Sequence, residues 1–275
     1  MKSPIFIFGS GRCGSTLIQR LLNSHASIQI YGEHQGFLAP LSNSFYLLKN
    51  GKQITTMLYG RRAVSPGSIE GGSVDARSDI SWINKFNKSD LVPHFKRFLL
   101  ELLASDINLR KIHWGFKEIR YDCNSRVLEF LSALFPRRHI IFPYRNPIDM
   151  TTSAFFAWHS TVVKSSRPAQ ERVINDILNN WYLRNKYFYE FSQNSHEVMF
   201  IPFEELISEP LMTCSRVFSQ LNLKMPPNIE EVLSYNVNST RPALKREEIR
   251  ELVRARFMES PKEIRDLANC LGYQF

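Results

Sequence analysis

Apolar and polar positions alternate along the chain so as to divide it into short buried strands and amphipathic helices. Three apolar runs, Ile5–Phe8 (IFIF), His139–Tyr144 (HIIFPY) and Val198–Phe203 (VMFIPF), are too short for helices and lack a polar face. That is the pattern of parallel strands covered on both sides. Ile28–Tyr31 and His113–Lys117 are weaker strands of the same kind. Between the runs, apolar residues return every three to four positions. Leu17, Ile18, Leu21 and Leu22 share one face of a helix from Thr16 to Ser24. Further helices are expected over Pro93–Asp106, Arg126–Phe135, Pro147–Ser160 and Gln170–Ser192, with Val173, Ile177, Trp181 and Phe188 on one face of the last. Pro210 suits the first turn of another helix, running to about Leu221. Strands alternating with helices predict an α/β fold of three layers, with a mostly parallel sheet of about 4–5 strands that opens on a P-loop-like strand–loop–helix.

Two stretches break the pattern. Gly60–Asp79 (GRRAVSPGSIEGGSVDARSD) has four glycines, a proline and almost no apolar period. A loop of this length reads as a mobile segment near the site, with inert disorder as the alternative. From Lys245, KREEIRELVRAR sets Glu and Arg at helical spacing, a solvated face rather than a binding patch. No repeat or linker appears, so residues 1–275 read as one domain.

Composition narrows the functions available. A hydrophobic share of 43% and a charged share of 22% are those of a globular chain, and twenty Phe and ten Tyr suit a deep core. The net charge of +9 points to an anionic ligand or partner. No aromatic RNA-binding motif, zinc-finger spacing or helix-turn-helix is present, so a small polyanion is a better fit than nucleic acid. Cysteines 13, 123, 214 and 270 have neither metal-ligand spacing nor the density of a disulfide framework, which suggests a reducing compartment. No apolar run approaches the roughly 18–20 residues of a membrane span. MKSP leads straight into the first strand, which leaves no room for a signal peptide. A soluble, cytoplasmic protein is expected.

The stretch after the first strand, GSGRCGST (residues 9–16), has the length of the nucleotide-binding pattern G-x-x-x-x-G-K-S/T. Gly9 and Gly14 are in place, but Ser15 stands where the lysine belongs, and a cation appears earlier, as Arg12. Backbone N–H groups at a helix start, with the Ser15 and Thr16 hydroxyls, suit a phosphate; a plain tight turn is the bland alternative. Without the lysine, a triphosphate with Mg²⁺ is poorly served. A monophosphate carrying a sulfuryl group has less terminal charge and needs only a cation such as Arg12. Cys13 is either oxidisable or a small filler. A second stretch, YRNPIDMTTS (residues 144–153), sets Arg145 at a strand end, Pro147 at a helix start and Ser153 eight residues after Arg145. Such an Arg and hydroxyl can grip a second phosphate. Both sites fall at the carboxyl ends of strands, where open α/β sheets bind ligands.

Together these stretches resemble the sulfotransferases that use 3′-phosphoadenosine 5′-phosphosulfate. That family's donor loop runs Pro or Gly, Lys or Arg, any residue, Gly, Ser or Thr, Thr; Gly11, Arg12, Cys13, Gly14, Ser15 and Thr16 match it. Its 3′-phosphate signature, an Arg with a Ser eight residues on, is matched by Arg145 and Ser153. An aromatic-Glu-acidic-Leu segment is echoed by Phe203–Leu206 (FEEL). The local likeness is nearest to tyrosylprotein sulfotransferases and their bacterial relatives, in which the loop cation is Arg and the next helix leads to a Gly-Glu pair, here Gly32-Glu33.

The resemblance implies a catalytic base at Glu33, with His34 as the runner-up. It also implies that Lys117, in GFKEIR, steadies the bridging oxygen of the leaving group beside Arg12. Gly11–Thr16 would hold the 5′-phosphosulfate, and Arg145 and Ser153 the 3′-phosphate, with no metal. The late Arg-Lys-Gly motif of cytosolic members is absent; Arg241 or Lys245 could replace it, and Ser239 and Thr240 only loosely match a donor-contacting segment. The acceptor would be a hydroxyl compound: a sugar, lipid, phenol, polyketide or tyrosine. Phe37, Phe45 and Tyr46 could line its pocket or belong to the core. Two other readings stay open, a P-loop kinase or nucleotide hydrolase with a degenerate loop and a non-catalytic binder of adenosine bisphosphate.

Overall fold

Five parallel strands form the sheet, in the order β2-β5-β1-β6-β7. They are β1 (Ile5–Phe8), β2 (Ile28–Tyr31), β5 (His113–Glu118), β6 (His139–Tyr144) and β7 (Val198–Pro202). Two-residue strands β3 (Leu58–Tyr59) and β4 (Arg62–Ala63) pair antiparallel outside it. The helices are α1 (Ser15–Asn23), α2 (Leu38–Asn50), α3 (Lys88–Ala104), α4 (Val127–Leu134), α5 (Pro147–Trp158) and α6 (Arg167–Gln193). They continue with α7 (Phe203–Ser208), α8 (Pro210–Gln220), α9 (Ile229–Ser234), α10 (Arg246–Met258) and α11 (Lys262–Cys270). The computed structural model describes residues 3–51, 58–59, 62–63, 88–104, 113–193, 195, 198–234 and 246–275. Arg62–Ala63 apart, the expected loop at 60–79 lies outside the described residues, as do Ser239, Thr240, Arg241 and Lys245.

The continuous apolar run IFIF has a direct structural cause. All four residues of β1 are at most 1% exposed, because the sheet is covered on both faces. Successive strand side chains point to opposite faces. Ile5 and Ile7, with Ile30, Ile141 and Ile201, therefore meet Ile18, Leu21 and Leu22 of α1 and Val217 and Phe218 of α8. Phe6 and Phe8 join Trp114 and Phe116 on the other face. There Phe188 of α6 stacks on Phe142 at 4.3 Å and lies 5.3 Å from Phe8. These contacts are the three layers expected from the sequence, and the sheet is parallel throughout.

The described chain groups into two compact units: Met1–Gly36 with Asp106–Asn124 and Arg137–Phe275, and Phe37–Ser105 with Ser125–Pro136. The first holds the whole sheet and every residue assigned to the site. In the second, Phe45 is fully buried against the rings of Phe95 and Phe130, at 5.2 Å from each. Phe45 is thus core. The neighbouring Tyr46 ring lies under the Arg126 guanidinium at 3.7 Å.

Several boundaries differ from the sequence reading. Helix α3 begins at Lys88, and Pro93 lies inside it, where it costs one ladder hydrogen bond rather than marking the start. The strand expected over Val198–Phe203 ends at Pro202, and Phe203 opens α7. The expected helices do not include α2 or α9, although Leu38, Leu41, Phe45 and Leu48 in the one and Ile229, Val232 and Leu233 in the other recur at helical spacing. In α10, Ile249, Val253 and Phe257 face the core while its Glu and Arg residues stay outside, as a solvated face requires. No helix among the described residues is long and apolar enough to cross a membrane.

Candidate active site

The loop between β1 and α1 turns through three left-handed residues, Gly11 (φ 80°), Arg12 (φ 52°) and Gly14 (φ 87°). A Cβ at Gly11 would lie 2.6 Å from the Trp158 ring, and one at Gly14 would lie 2.8 Å from Phe203. Only glycine satisfies both the backbone angle and the space at these two positions. Gly14→Ala is expected to cost about 1–2 kcal/mol from the left-handed angle alone. It should also push Phe203 aside, so that a fall in melting temperature comes with weaker anion binding. Cys13 is 0% exposed and burial raises its thiol pKa, which makes it a filler rather than an oxidisable group.

After β6 the chain turns sharply. Asn146 caps α5, its side chain accepting from the amides of Ile148 (2.9 Å) and Asp149 (3.4 Å), and Pro147 occupies the first turn. This turn aims Arg145 back at the loop, where Nη1 donates to the Arg12 carbonyl at 3.2 Å. The guanidinium also lies 4.3 Å over the ring of Phe203. Next to Phe203, Glu204 accepts from the Asn146 amide (3.1 Å) and the Tyr273 hydroxyl (2.9 Å). The FEEL segment therefore supports the Arg145 turn from below. Two turns along α5, the 3% exposed Ser153 hydroxyl accepts from Arg12 Nε at 3.0 Å. The three stretches singled out in sequence thus interlock.

The carboxyl ends of β2 and β5 supply the other half. Lys117, 6% exposed, donates to Glu33 Oε1 and lies 3.5 Å from Thr16 Oγ1 at the start of α1. Glu33 Oε2 pairs with Arg120 at 3.0 Å. These groups open on a cleft of about 440 Å³ lined by Gly11, Arg12, Ser15, Thr16, Glu33, Lys117, Ile119, Arg120, Trp158 and Arg184. The lining includes Glu33 and not His34, whose ring lies edge-on to Phe116 at 4.4 Å. Burial lowers the His34 pKa against the opposing pull of Glu118. Arg145 and Ser153 lie outside this lining, on the far side of Arg12.

Four polar or aromatic residues of the site, besides Ile119, were not assigned from sequence. Glu118 and Arg120 stand in the stretch quoted for Lys117, where charged residues crowd a strand end. Trp158 closes α5 against Gly11. Arg184 donates to the Ser10 carbonyl at 3.3 Å from the same stripe of α6 that carries Trp181 and Phe188. A cation on an apolar helix face was the signal available for it. Burial lowers the pKa of Arg12, Arg145 and Arg184, and the Nε atoms of Arg145 and Arg184 are buried without a hydrogen-bond partner among the described residues. Guanidinium groups stripped of water gain most from an incoming anion.

Comparison with known proteins places the fold. The sulfotransferase domain from the curacin biosynthetic pathway superposes with a TM-score of 0.56 at 19% identity, over 100% of this chain and 99% of its own. A sulfotransferase from Alicyclobacillus acidocaldarius gives 0.53 at 15% identity, over 98% and 96%. The sulfotransferase domain of the Synechococcus PCC 7002 olefin synthase gives 0.52 at 14%, over 100% and 97%. At these identities the likeness is one of fold. No curated protein matches the sequence. The narrower likeness to tyrosylprotein sulfotransferases rests on the donor loop and Gly32-Glu33 alone. The sulfotransferase family profile, however, matches residues 4–227, which takes in the loop, the Arg145 turn and the FEEL segment: the chain belongs to the sulfotransferase family.

Proposed function

We propose that this chain transfers a sulfuryl group from 3′-phosphoadenosine 5′-phosphosulfate to an acceptor hydroxyl by direct in-line displacement. The observation that carries the reading is the cleft, where a phosphate-type loop, buried cations and a carboxylate at hydrogen-bond distance from a lysine share one space. The residues fit the donor. The loop is a cradle that a Cβ at Gly11 or Gly14 would fill, and the two guanidinium Nε atoms await acceptors.

Each group has a role in this reading. The loop amides with Ser15 and Thr16 hold the 5′-phosphate. Arg145 and Ser153 hold the 3′-phosphate, which requires Arg12 to release or share the Ser153 hydroxyl. Glu33 takes the acceptor's proton as the acceptor oxygen bonds to sulfur. The bond from sulfur to the bridging oxygen breaks, and its electron pair leaves with the bisphosphate. Lys117 and Arg12 stabilise the charge gathering on that oxygen. Lys117 stands between Glu33 and Thr16, so one lysine can serve the resting base and then the donor.

The test is calorimetric titration with 3′-phosphoadenosine 5′-phosphate, ATP with Mg²⁺ and adenosine 5′-monophosphate, followed by transfer from radiolabelled donor to a phenol. Binding of the bisphosphate well above the other two is expected, with turnover unchanged by EDTA because fixed cations cover the charge. Preference for ATP with Mg²⁺ would favour the kinase reading. Tight bisphosphate binding with no transfer to any hydroxyl would favour a non-catalytic binder.

A further inference from the structure

We propose that Glu118 is the positioning residue for Glu33, and that it leaves Glu33 Oε1 as the oxygen that receives the acceptor's proton. The inference rests on the sulfuryl-transfer reading above.

Glu118 is 0% exposed, yet it touches no part of the cleft lining except through Arg120 and Ile119. Its carboxylate is the centre around which the end of β2 is wound. Oε2 accepts from the amides of Gly36 (2.8 Å) and His34 (3.3 Å), while Oε1 accepts from the Ile119 amide (2.8 Å) and Arg120 Nη1 (2.5 Å). The turn that follows Glu33 closes through left-handed Gln35 (φ 59°) and Gly36 (φ 72°), so its amides converge on this buried anion. Burial pushes the Glu118 pKa up, but the Ile119 and Gly36 amides and Arg120 outweigh it and keep the pKa below the ordinary value. A buried carboxylate held by backbone amides thus shapes the segment that carries the candidate base.

The same carboxylate acts on Glu33 through Arg120. One nitrogen, Arg120 Nη1, joins Glu118 Oε1 and Glu33 Oε2 (3.0 Å). Glu33 Oε2 is thereby tied to the buried anchor. Among the described residues Oε1 is held only by Lys117, which has a second partner within reach in Thr16 of the donor loop. When Lys117 turns to the donor, Oε1 is the oxygen set free. A carboxylate held by one oxygen and released at the other keeps its orientation through the proton transfer, and misplacement by about 1 Å can cost on the order of 100-fold in rate.

A double-mutant cycle tests this, with single-turnover transfer from radiolabelled donor to a naphthol as the reading. Glu118→Gln alone is expected to slow transfer about 30- to 100-fold. Bisphosphate affinity should stay unchanged, because the 9–16 loop is untouched. In the Glu33→Gln background the same change should cost less than about threefold, since a residue acting through another loses its effect once that other is gone. Arg120→Gln, at a side chain 43% exposed, should show the same non-additivity. If Glu33→Gln is impaired but the Glu118 and Arg120 changes add their full losses to it, the base stands and the positioning role is wrong. If Glu33→Gln transfers at the wild-type rate, the base assignment falls and the proposal falls with it.

Discussion

Glu33→Gln is expected to lower sulfuryl transfer about a thousandfold, within the range that a positioned general base supplies. The substitution keeps the shape of the side chain and leaves a carbonyl that can accept from Arg120, while removing its charge and its capacity to take a proton. Bisphosphate binding should be retained and can tighten, because the charged contact that holds Lys117 away from the donor loop is weakened. Turnover and calorimetry on one preparation separate the two effects: kcat falls and the dissociation constant does not rise. His34→Asn tests the other candidate base, whose ring lies outside the cleft lining, against Phe116 and 3.5 Å from Glu118 Oε2, so that a partial loss is expected through Glu118. A loss in His34→Asn that matched the loss in Glu33→Gln would move the base to the histidine.

Arg145→Ala should act on binding instead. Removing one guanidinium from a charge-assisted phosphate contact forfeits about 1.5–3 kcal/mol, or roughly 10- to 150-fold in bisphosphate affinity. Arg145→Lys should recover part of it, as a point charge without the planar fork. The stability effect has the opposite sign. Burial lowers the Arg145 pKa, which means that the fold disfavours the charged form below that pKa. Removing the charge relieves this penalty across neutral pH, although the stack on Phe203 and the bond to the Arg12 carbonyl are lost with it. A melting temperature that holds or rises while affinity collapses would mark Arg145 as kept for its ligand. A large drop in melting temperature with affinity intact would make it structural.

The strands were legible because parallel strands buried on both faces must be apolar at every position, as in IFIF, whereas helices need only a stripe. The donor loop was legible for a similar reason. A backbone that turns through left-handed angles beneath Trp158 and Phe203 demands glycine at 11 and 14, and glycine at fixed spacing is visible in any alphabet. Helix α2 has a helical period, but its partners are not local: its one fully buried aromatic, Phe45, packs against Phe95 and Phe130, fifty and eighty-five positions away. Arg184 carries only a faint local sign, a cation on the stripe of Trp181 and Phe188, and what that cation reaches is set by the loop at Ser10, 174 positions away.

From sequence alone come the α/β order, the parallel sheet, the phosphate-type loop and the cationic turn at Arg145, all written within a few neighbouring residues by backbone sterics and apolar period. Only the tertiary structure decided which charges meet. The order β2-β5-β1-β6 sets Glu33 beside Lys117 and Arg12 beside Ser153, pairs separated by 84 and 141 positions. It also sinks Glu118 beneath Arg120, out of water, where three of its partners are backbone amides that no sequence pattern displays. Periodicity reports which face of an element is dry; what that face, or the end of a strand, will touch is set by the crossovers that bring distant segments to one edge of the sheet.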